Sequence, residues 1–533
     1  MGGKPVSERP WWQHAVIYEI YPRSFQDTDG DGVGDLSGIL ERVDYLAWLG
    51  VDAVWICPFY PSPMADFGYD VADYVGIDPL FGTLSDFDRL VEALHRRGIR
   101  IILDFVPNHT SDKHPWFEES RSSRDSPKRD WYIWRDAHPD GGPPNNWQSL
   151  PAGSAWEFDE PTGQYYCHSF LASQPDLNWR NASVRAAMYD VLRFWLYRGV
   201  DGFRVDVLWH LIEDAQFRDD PLNPRFRDGD PPHQRLLPIR SADQPEVLPI
   251  IAEMRQALNE CPGERLLIGE IYLPLQRLVA YYGPNLTGVH LPFNFSLMWV
   301  DWRPAQVLRL IRDYEAALPP GAWPSWVLGN HDQKRVASRL GADQARVAMM
   351  LLMTLRGTPT LYYGDELGLE DVTIPHEEVR DPFGLVVPGQ GRDPERTPMP
   401  WDASHNGGFT TGRPWLPLGK AHPAMSVDVQ KRNPESMLNL TRALLALRRR
   451  EPALSLGGWE PLAVEGDVLA YSRTSGGRRF IVVLNLGSAP KAVGFDRDLA
   501  GAIELSTHPG RAGERISTRI NLRGDEGIII KPT

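Results

Sequence analysis

Three carboxylates stand at matching places along the chain. Asp206 closes Gly202-Phe203-Arg204-Val205-Asp206, Glu270 closes Leu266-Leu267-Ile268-Gly269-Glu270, and Asp332 closes Val327-Leu328-Gly329-Asn330-His331-Asp332. Each sits at or just past the end of a short apolar run of strand character. In a parallel barrel the C-terminal ends of the strands converge on one face, so the three acids would meet there. Two converging carboxyls are what glycosidic cleavage requires. One is ionised and attacks or stabilises the oxocarbenium-like carbon. The other is protonated and gives its proton to the leaving oxygen. A third negative charge nearby helps hold that acid protonated by like-charge repulsion. Arg204 precedes Asp206 by two residues on the same strand, so the two side chains share a face and the cation can keep Asp206 ionised. Any one of these acids alone could be a strand-end cap or half of a salt bridge. Three at equivalent places argue against that.

Two histidines flank strand ends in the same way, in Asn108-His109-Thr110 and Asn330-His331-Asp332. Neutral imidazoles can hydrogen-bond sugar hydroxyls. The alternatives are a structural histidine or half of a zinc site, and the H-x-x-x-H spacing typical of zinc is absent. Asp27-Thr28-Asp29-Gly30-Asp31-Gly32-Val33-Gly34-Asp35 places oxygen donors at alternate positions with glycines for tight turns, which suits a hard cation. The twelfth position is Gly38 rather than Glu, so this is not an EF-hand. A lone Ca²⁺ or Mg²⁺ pinning the first loop is expected.

The elements around these residues alternate. Strands are expected at Val16–Tyr21, Ala53–Ile56, Ile101–Phe105, Gly202–Val207, Leu266–Ile271, Ser325–Leu328 and Thr360–Tyr363, and helices at Leu40–Leu49, Leu84–Arg97, Val184–Arg198 and Ala342–Leu355. Such alternation is the signature of βαβ units and a parallel sheet. The rhythm breaks between His109 and Trp179, a polar stretch rich in Pro, Gly and Trp and too long for a structureless loop. It reads as an inserted domain spanning 109–179, which leaves 1–108 and 180–454 for a (β/α)₈ barrel. The long loops Asp214–Glu246 and Leu369–Asp428 follow strands and so belong to the active face. From 455 to 533 short strands at Trp459–Val464, Val468–Thr474, Arg479–Leu486 and Gly527–Lys531, with no helices, predict a C-terminal β-sandwich.

Composition sets the outer limits. At 533 residues the chain exceeds one hydrophobic core. Its formal charge of −14, from 56 basic and 70 acidic residues, opposes binding to nucleic acid. Cys57, Cys167 and Cys261 are scattered and odd in number with no C-x-x-C pair, which speaks against a disulfide framework or a thiolate zinc site and fits a reducing compartment. Met1 to Trp12 shows no apolar leader core, and the apolar run Val347–Leu355 is too short to cross a bilayer. A cytoplasmic protein with no membrane partner is expected, monomeric or a small homo-oligomer.

Together these residues resemble the α-amylase superfamily (glycoside hydrolase family 13), in its α-glucosidase/oligo-1,6-glucosidase branch. The matching motifs are Asp104-Phe105-Val106-Pro107-Asn108-His109, Gly202 to Asp206, Gly269-Glu270, Asn330-His331-Asp332 and, in the inserted domain, Gln174-Pro175-Asp176-Leu177-Asn178. The pattern is most similar to bacterial α-glucosidases of broad specificity. The resemblance implies a retaining, exo-acting enzyme on short α-glucosides such as sucrose, maltose, isomaltose or trehalose, with Asp206 as nucleophile, Glu270 as acid/base and Asp332 as the third acid. It places Asp70, His109, Arg204 and His331 around the non-reducing glucose, Phe170 as an aromatic wall and Arg392 as a closing group. It implies a structural, non-catalytic metal on Asp27, Asp29, Asp31, the Val33 carbonyl and Asp35, and no organic cofactor. Val207 after the nucleophile goes in this branch with tolerance of α-1,6 links. Pro400 stands where the family usually has Gln. The same site could serve a transglucosidase or glucoside isomerase. A non-catalytic glycosidase-like barrel, as in transporter heavy chains, would carry a membrane span and lack the acids.

Overall fold

Strands rich in Val, Ile and Leu on both faces suit a sheet that is covered on each side, as parallel sheets are. The computed structural model describes residues 9–494 and 500–532, so the first eight residues of the expected leaderless N-terminus lie outside it. Eight strands form one parallel sheet: β1 (Ile17–Ile20), β2 (Ala53–Ile56), β3 (Arg100–Phe105), β4 (Gly202–Val205), β5 (Leu266–Gly269), β6 (Leu291–Pro292), β7 (Ser325–Val327) and β8 (Thr358–Tyr362). The spatial order is β7-β8-β1-β2-β3-β4-β5-β6. That is the chain order carried round a circle, with β8 returning to β1 through Ile17 opposite Thr360. This is the expected (β/α)₈ barrel. Every residue of β1, β2, β4 and β5 is buried. The sixth strand escaped the sequence reading because it is two residues long and ends in proline, holding to β5 only through Leu291 and Pro292.

Local signals set the helix ends. Helix Leu84–Arg96 opens on a capping box between Thr83 and Asp86. The helix expected at Leu40–Leu49 is two helices, Leu36–Glu41 and Val43–Leu49. Asp35 starts the first of them early by accepting the Gly38 N–H at 2.7 Å. The apolar run near 350 lies in helix Ala342–Thr354, which is buried because it also packs on the C-terminal sheet. Among the described residues no helix is long and apolar enough to cross a membrane.

Two smaller β units flank the barrel. After β3 the inserted segment builds a three-stranded antiparallel sheet with Gln164–Cys167 between Trp134–Asp136 and Trp156–Asp159. It has a core of its own around Ile133, Trp147, Ala155, Trp156 and Cys167. The C-terminal sheet runs Gly458–Glu465, Val468–Ser475, Arg478–Asn485, Gly527–Pro532, Gly501–Ser506, Arg515–Ile516 in space. A second ribbon pairs Lys491–Gly494 with Arg519–Leu522. Alternate side chains take opposite faces: Val468 and Ala470 join the sandwich core with Val493 and Ile520, whereas Leu469 and Tyr471 join the core of the barrel.

Candidate active site

Strand register places the acids before any side chain is considered. Asp104 on β3 lies opposite Arg204 on β4, and Val205 lies opposite Gly269 on β5. Asp206 and Glu270 therefore emerge next to each other, one residue past their strands. Arg204 is fully buried beneath them. Its Nη1 donates to Asp104 Oδ1 at 2.7 Å and to Asp206 Oδ1 at 2.6 Å. Its Nη2 pairs with Glu270 Oε1 at 2.8 Å. One planar cation thus orients three carboxyls, which Arg's rigid fork does better than a point charge.

The chain turns sharply after Asp206. Val207 has φ +34°, in the left-handed region that branched side chains avoid. Such strain is held where surrounding contacts enforce it. Here the Val207 N–H donates to Glu270 Oε2 at 2.9 Å. The expected continuation of the strand to Val207 therefore fails at the residue that helps fix the second acid.

The three acids differ in charge state. Burial pushes Glu270 from 4.5 up to about 8, with Arg204 opposing and Asp206 and Asp332 adding. Burial lifts Asp206 from 3.8 to about 7, with Arg204 opposing and Asp104 adding. Burial would raise Asp332 as well, but its neighbours His331, Arg392 and Arg396 hold it well below the usual carboxylate range. Since burial keeps His331 neutral, the two guanidiniums carry that effect, at 3.3 Å for Arg392 and 2.7 Å for Arg396. Asp332 is thus the first of the three to ionise, while burial favours a proton on the Asp206–Glu270 pair.

Asp206, Glu270, Asp332, His109, His331, Phe170 and Arg392 all line one cavity of about 1170 Å³. His331 Nε2 lies 2.8 Å from the Tyr69 hydroxyl. His109 Nε2 lies 3.1 Å from the Tyr69 carbonyl and 3.2 Å from Gln174 Nε2. Burial lowers His109 to about 4, so it stays neutral. The Phe170 ring lies 5.2 Å from the His109 ring and tilted to it, as a wall contributed by the inserted segment. The 214–246 and 369–428 loops supply His233, Gln234, Phe383 and Arg392 to the same cavity.

Asp70 is elsewhere. Both its oxygens are taken by its own turn, from Ser62 Oγ at 2.8 Å and from the Ala65 and Asp66 N–H groups at 2.9 Å each. It lines no part of the cavity, and Asp66 faces it instead. Asp66 Oδ1 accepts from Arg392 Nη2 at 2.7 Å and Asp66 Oδ2 from Gln174 at 3.2 Å. The signal was in the same loop, four residues upstream of the expected acid. Arg396 was missed too. Its Nε donates to the His331 carbonyl at 2.7 Å and its Nη2 to Asp332 at 2.7 Å. The loop seats this arginine although Pro400 departs from the family pattern, and Pro400 does not line the cavity.

In the first loop Asp27, Asp29 and Asp35 each bring an oxygen within 4.8 Å of the others. Asp31 is exposed and accepts the Val33 N–H at 2.7 Å. Gly32 is required there: its φ is +93° and a Cβ would lie 2.0 Å from the Arg413 carbonyl oxygen.

Fold and site together define a glycoside hydrolase built on a parallel barrel. The family model described as the alpha amylase catalytic domain matches residues 19–457, and the chain belongs to this family. It is 44% identical over 497 residues to a probable alpha-glucosidase of Rhizobium meliloti (strain 1021), covering 90% of each chain. It is 39% identical over 530 residues to an oligo-1,6-glucosidase of Heyndrickxia coagulans, covering 91% of this chain and 94% of that one. Among solved structures it is similar to the alpha-glucosyl transfer enzyme XgtA, with TM-score 0.93 and 41% identity over 99% of this chain and 100% of the other.

Proposed function

We propose that the protein is a retaining, exo-acting α-glucosidase that takes short α-glucosides such as sucrose, maltose, isomaltose and trehalose. The observation that carries this is the pairing of Asp206 and Glu270 on one buried guanidinium at the cavity floor. Asp206 attacks the anomeric carbon while Glu270 protonates the leaving oxygen. Glu270 then takes a proton from water as it opens the glucosyl ester. Asp332, held ionised, binds ring hydroxyls of the distorted sugar. His109, His331, Phe170 and Asp66 complete the glucose site.

Exo action is supported by Arg392, which bridges Asp66, Asp332 and Asp381 and shuts one side of the pocket. A long glucan could not thread past that ion cluster. The aspartates of the first loop offer hard oxygen donors that fit Ca²⁺ or Mg²⁺. Asp27, Asp29 and Asp35 would hold the ion, with Asp31 and the Val33 carbonyl as the further donors the family resemblance implies, and the cation would tie that loop together without entering the chemistry. We take the domains as 1–108 with 180–454, 109–179 and 455–533, acting in the cytoplasm as a monomer or small homo-oligomer.

Transfer to a sugar acceptor is the second reading. The likeness to XgtA supports it, and so do Trp209 and Trp299 along the cavity, which could bind an acceptor ring by its face. Glucose release from the four disaccharides and from soluble starch separates the readings. Release from disaccharides but not starch supports hydrolysis from chain ends. Clearly fewer than two glucose released per maltose, isomaltose or trehalose consumed, or fewer than one per sucrose, means transfer or isomerisation, and attack on starch overturns exo action.

A further inference from the structure

His331 faces the cavity with one edge and meets two unassigned side chains with the other. Glu19 lies on β1 and Cys57 directly follows β2. All three residues are buried. Cys57 Sγ is 3.7 Å from Glu19 Oε1 and 3.7 Å from His331 Nδ1, and Nδ1 is 2.6 Å from Oε1. One ligand atom from each lies within 4.8 Å of the other two. Glu19 Oε2 is buried and has no hydrogen-bond partner. An unpaired buried carboxylate oxygen is disfavoured, and a cation that this carboxylate grips with both oxygens would give Oε2 a partner.

The donor set selects the kind of ion. Thiolate, imidazole and carboxylate together suit a borderline or soft divalent metal rather than Ca²⁺ or Mg²⁺. Tetrahedral zinc with its usual bond lengths separates its ligand atoms by about 3.5 Å. The two sulfur edges of the triangle already stand within a few tenths of an ångström of that. The third edge must open, exchanging the His331–Glu19 hydrogen bond for two bonds to the metal, and leaves a fourth position for water.

We propose that Glu19, Cys57 and His331 form an inhibitory site for a thiophilic divalent cation, with zinc as the physiological class. The ion enters from the cavity, since the His331 ring is part of its wall. The thiol proton leaves to solvent on binding, as does the Nδ1 proton unless it moves to Nε2. Opening the His331–Glu19 edge moves the imidazole off its Glu19 contact and shifts the Nε2 edge that meets Tyr69 and faces the sugar. In the metal-free state the same cluster is an ordinary hydrogen bond that orients His331, with Cys57 as filler.

Inhibition rests on the hydrolase reading above, while binding does not, so the test measures both. Metal-stripped full-length protein is titrated with Cd²⁺, followed by the ultraviolet cadmium–thiolate charge-transfer band, and zinc is titrated against glucose release. One equivalent of band is expected, with inhibition that Cys57→Ser and Cys57→Ala both abolish while basal activity is unchanged. The zinc concentration for half inhibition should rise more than the about 10–100-fold typical of a lost outer-shell partner. Cys167→Ser and Cys261→Ser should keep both signals. Absence of the band in the native protein, or its survival in both Cys57 variants, overturns the site. A band without inhibition overturns its inhibitory role.

Discussion

Replacing Glu270 by Gln tests whether burial holds a proton on that carboxyl. In the fold the proton stays on to about pH 8, against 4.5 in the unfolded chain. Between those values the folded state binds more protons than the unfolded state, so stability is full below the lower value and is lost as pH rises through the upper one. At about 1.4 kcal/mol per pH unit the window is worth at most about 5 kcal/mol. Gln does not titrate and escapes this loss. At low pH the variant should be the weaker protein, because its single carbonyl oxygen cannot accept from both Arg204 and the Val207 N–H, at a cost of about 1–3 kcal/mol. As pH rises from about 5 to about 8 the gap should close or reverse by a few kcal/mol. Urea and thermal midpoints of both proteins across that range measure it, and comparing midpoints avoids assuming two-state unfolding in a multidomain chain. A gap that is flat with pH, or that widens against Gln, would mean Glu270 carries no raised proton and would remove the basis for its role as the acid.

Further outcomes follow from the same geometry. Asp206→Asn should lower glucose release at least about 10⁴-fold with an unchanged melting curve; substantial residual turnover would point to another nucleophile. Glu270→Gln should cost about 10²–10⁴ in kcat on natural sugars and much less on aryl glucosides with good leaving groups, and should erase the alkaline limb of kcat/KM near pH 8; equal losses on both substrate types would argue against proton donation. Arg396→Met leaves Asp332 with one guanidinium fewer and should destabilise the fold by about 3–5 kcal/mol while weakening kcat/KM, as urea midpoints and steady-state kinetics would read. Chelation should lower the melting temperature more than it lowers kcat at low temperature; immediate loss of activity without unfolding would give the metal a catalytic part.

Much of this was legible because barrels repeat one physical rule. Apolar runs ending in acids at Asp206, Glu270 and Asp332 announced both the strands and their common face. Side-chain alternation was enough to set Arg204 under Asp206, as its 2.6 Å contact bears out. What escaped depended on loops, where no period constrains the chain. Asp66 and Asp70 share one turn, and only its folding decides which carboxylate faces the cavity and which ties the loop together. Arg396 sits in a run with no periodicity, and its partner Asp332 is 64 residues away. The two-residue β6 lacks the length that makes a strand visible. The ribbon of Lys491–Gly494 with Arg519–Leu522 is short and polar on one face, which weakens the same signal.

The most direct test of the account is to trap its covalent intermediate. A 5-fluoro-α-glucosyl fluoride slows breakdown of the glucosyl ester more than its formation. Peptide mass spectrometry of the inactivated protein should find one fluoroglucosyl group on the peptide containing Asp206, absent in Asp206→Asn. Label on another residue, or turnover of natural substrates with no label under any inactivating condition, would contradict Asp206 as the nucleophile of a retaining enzyme.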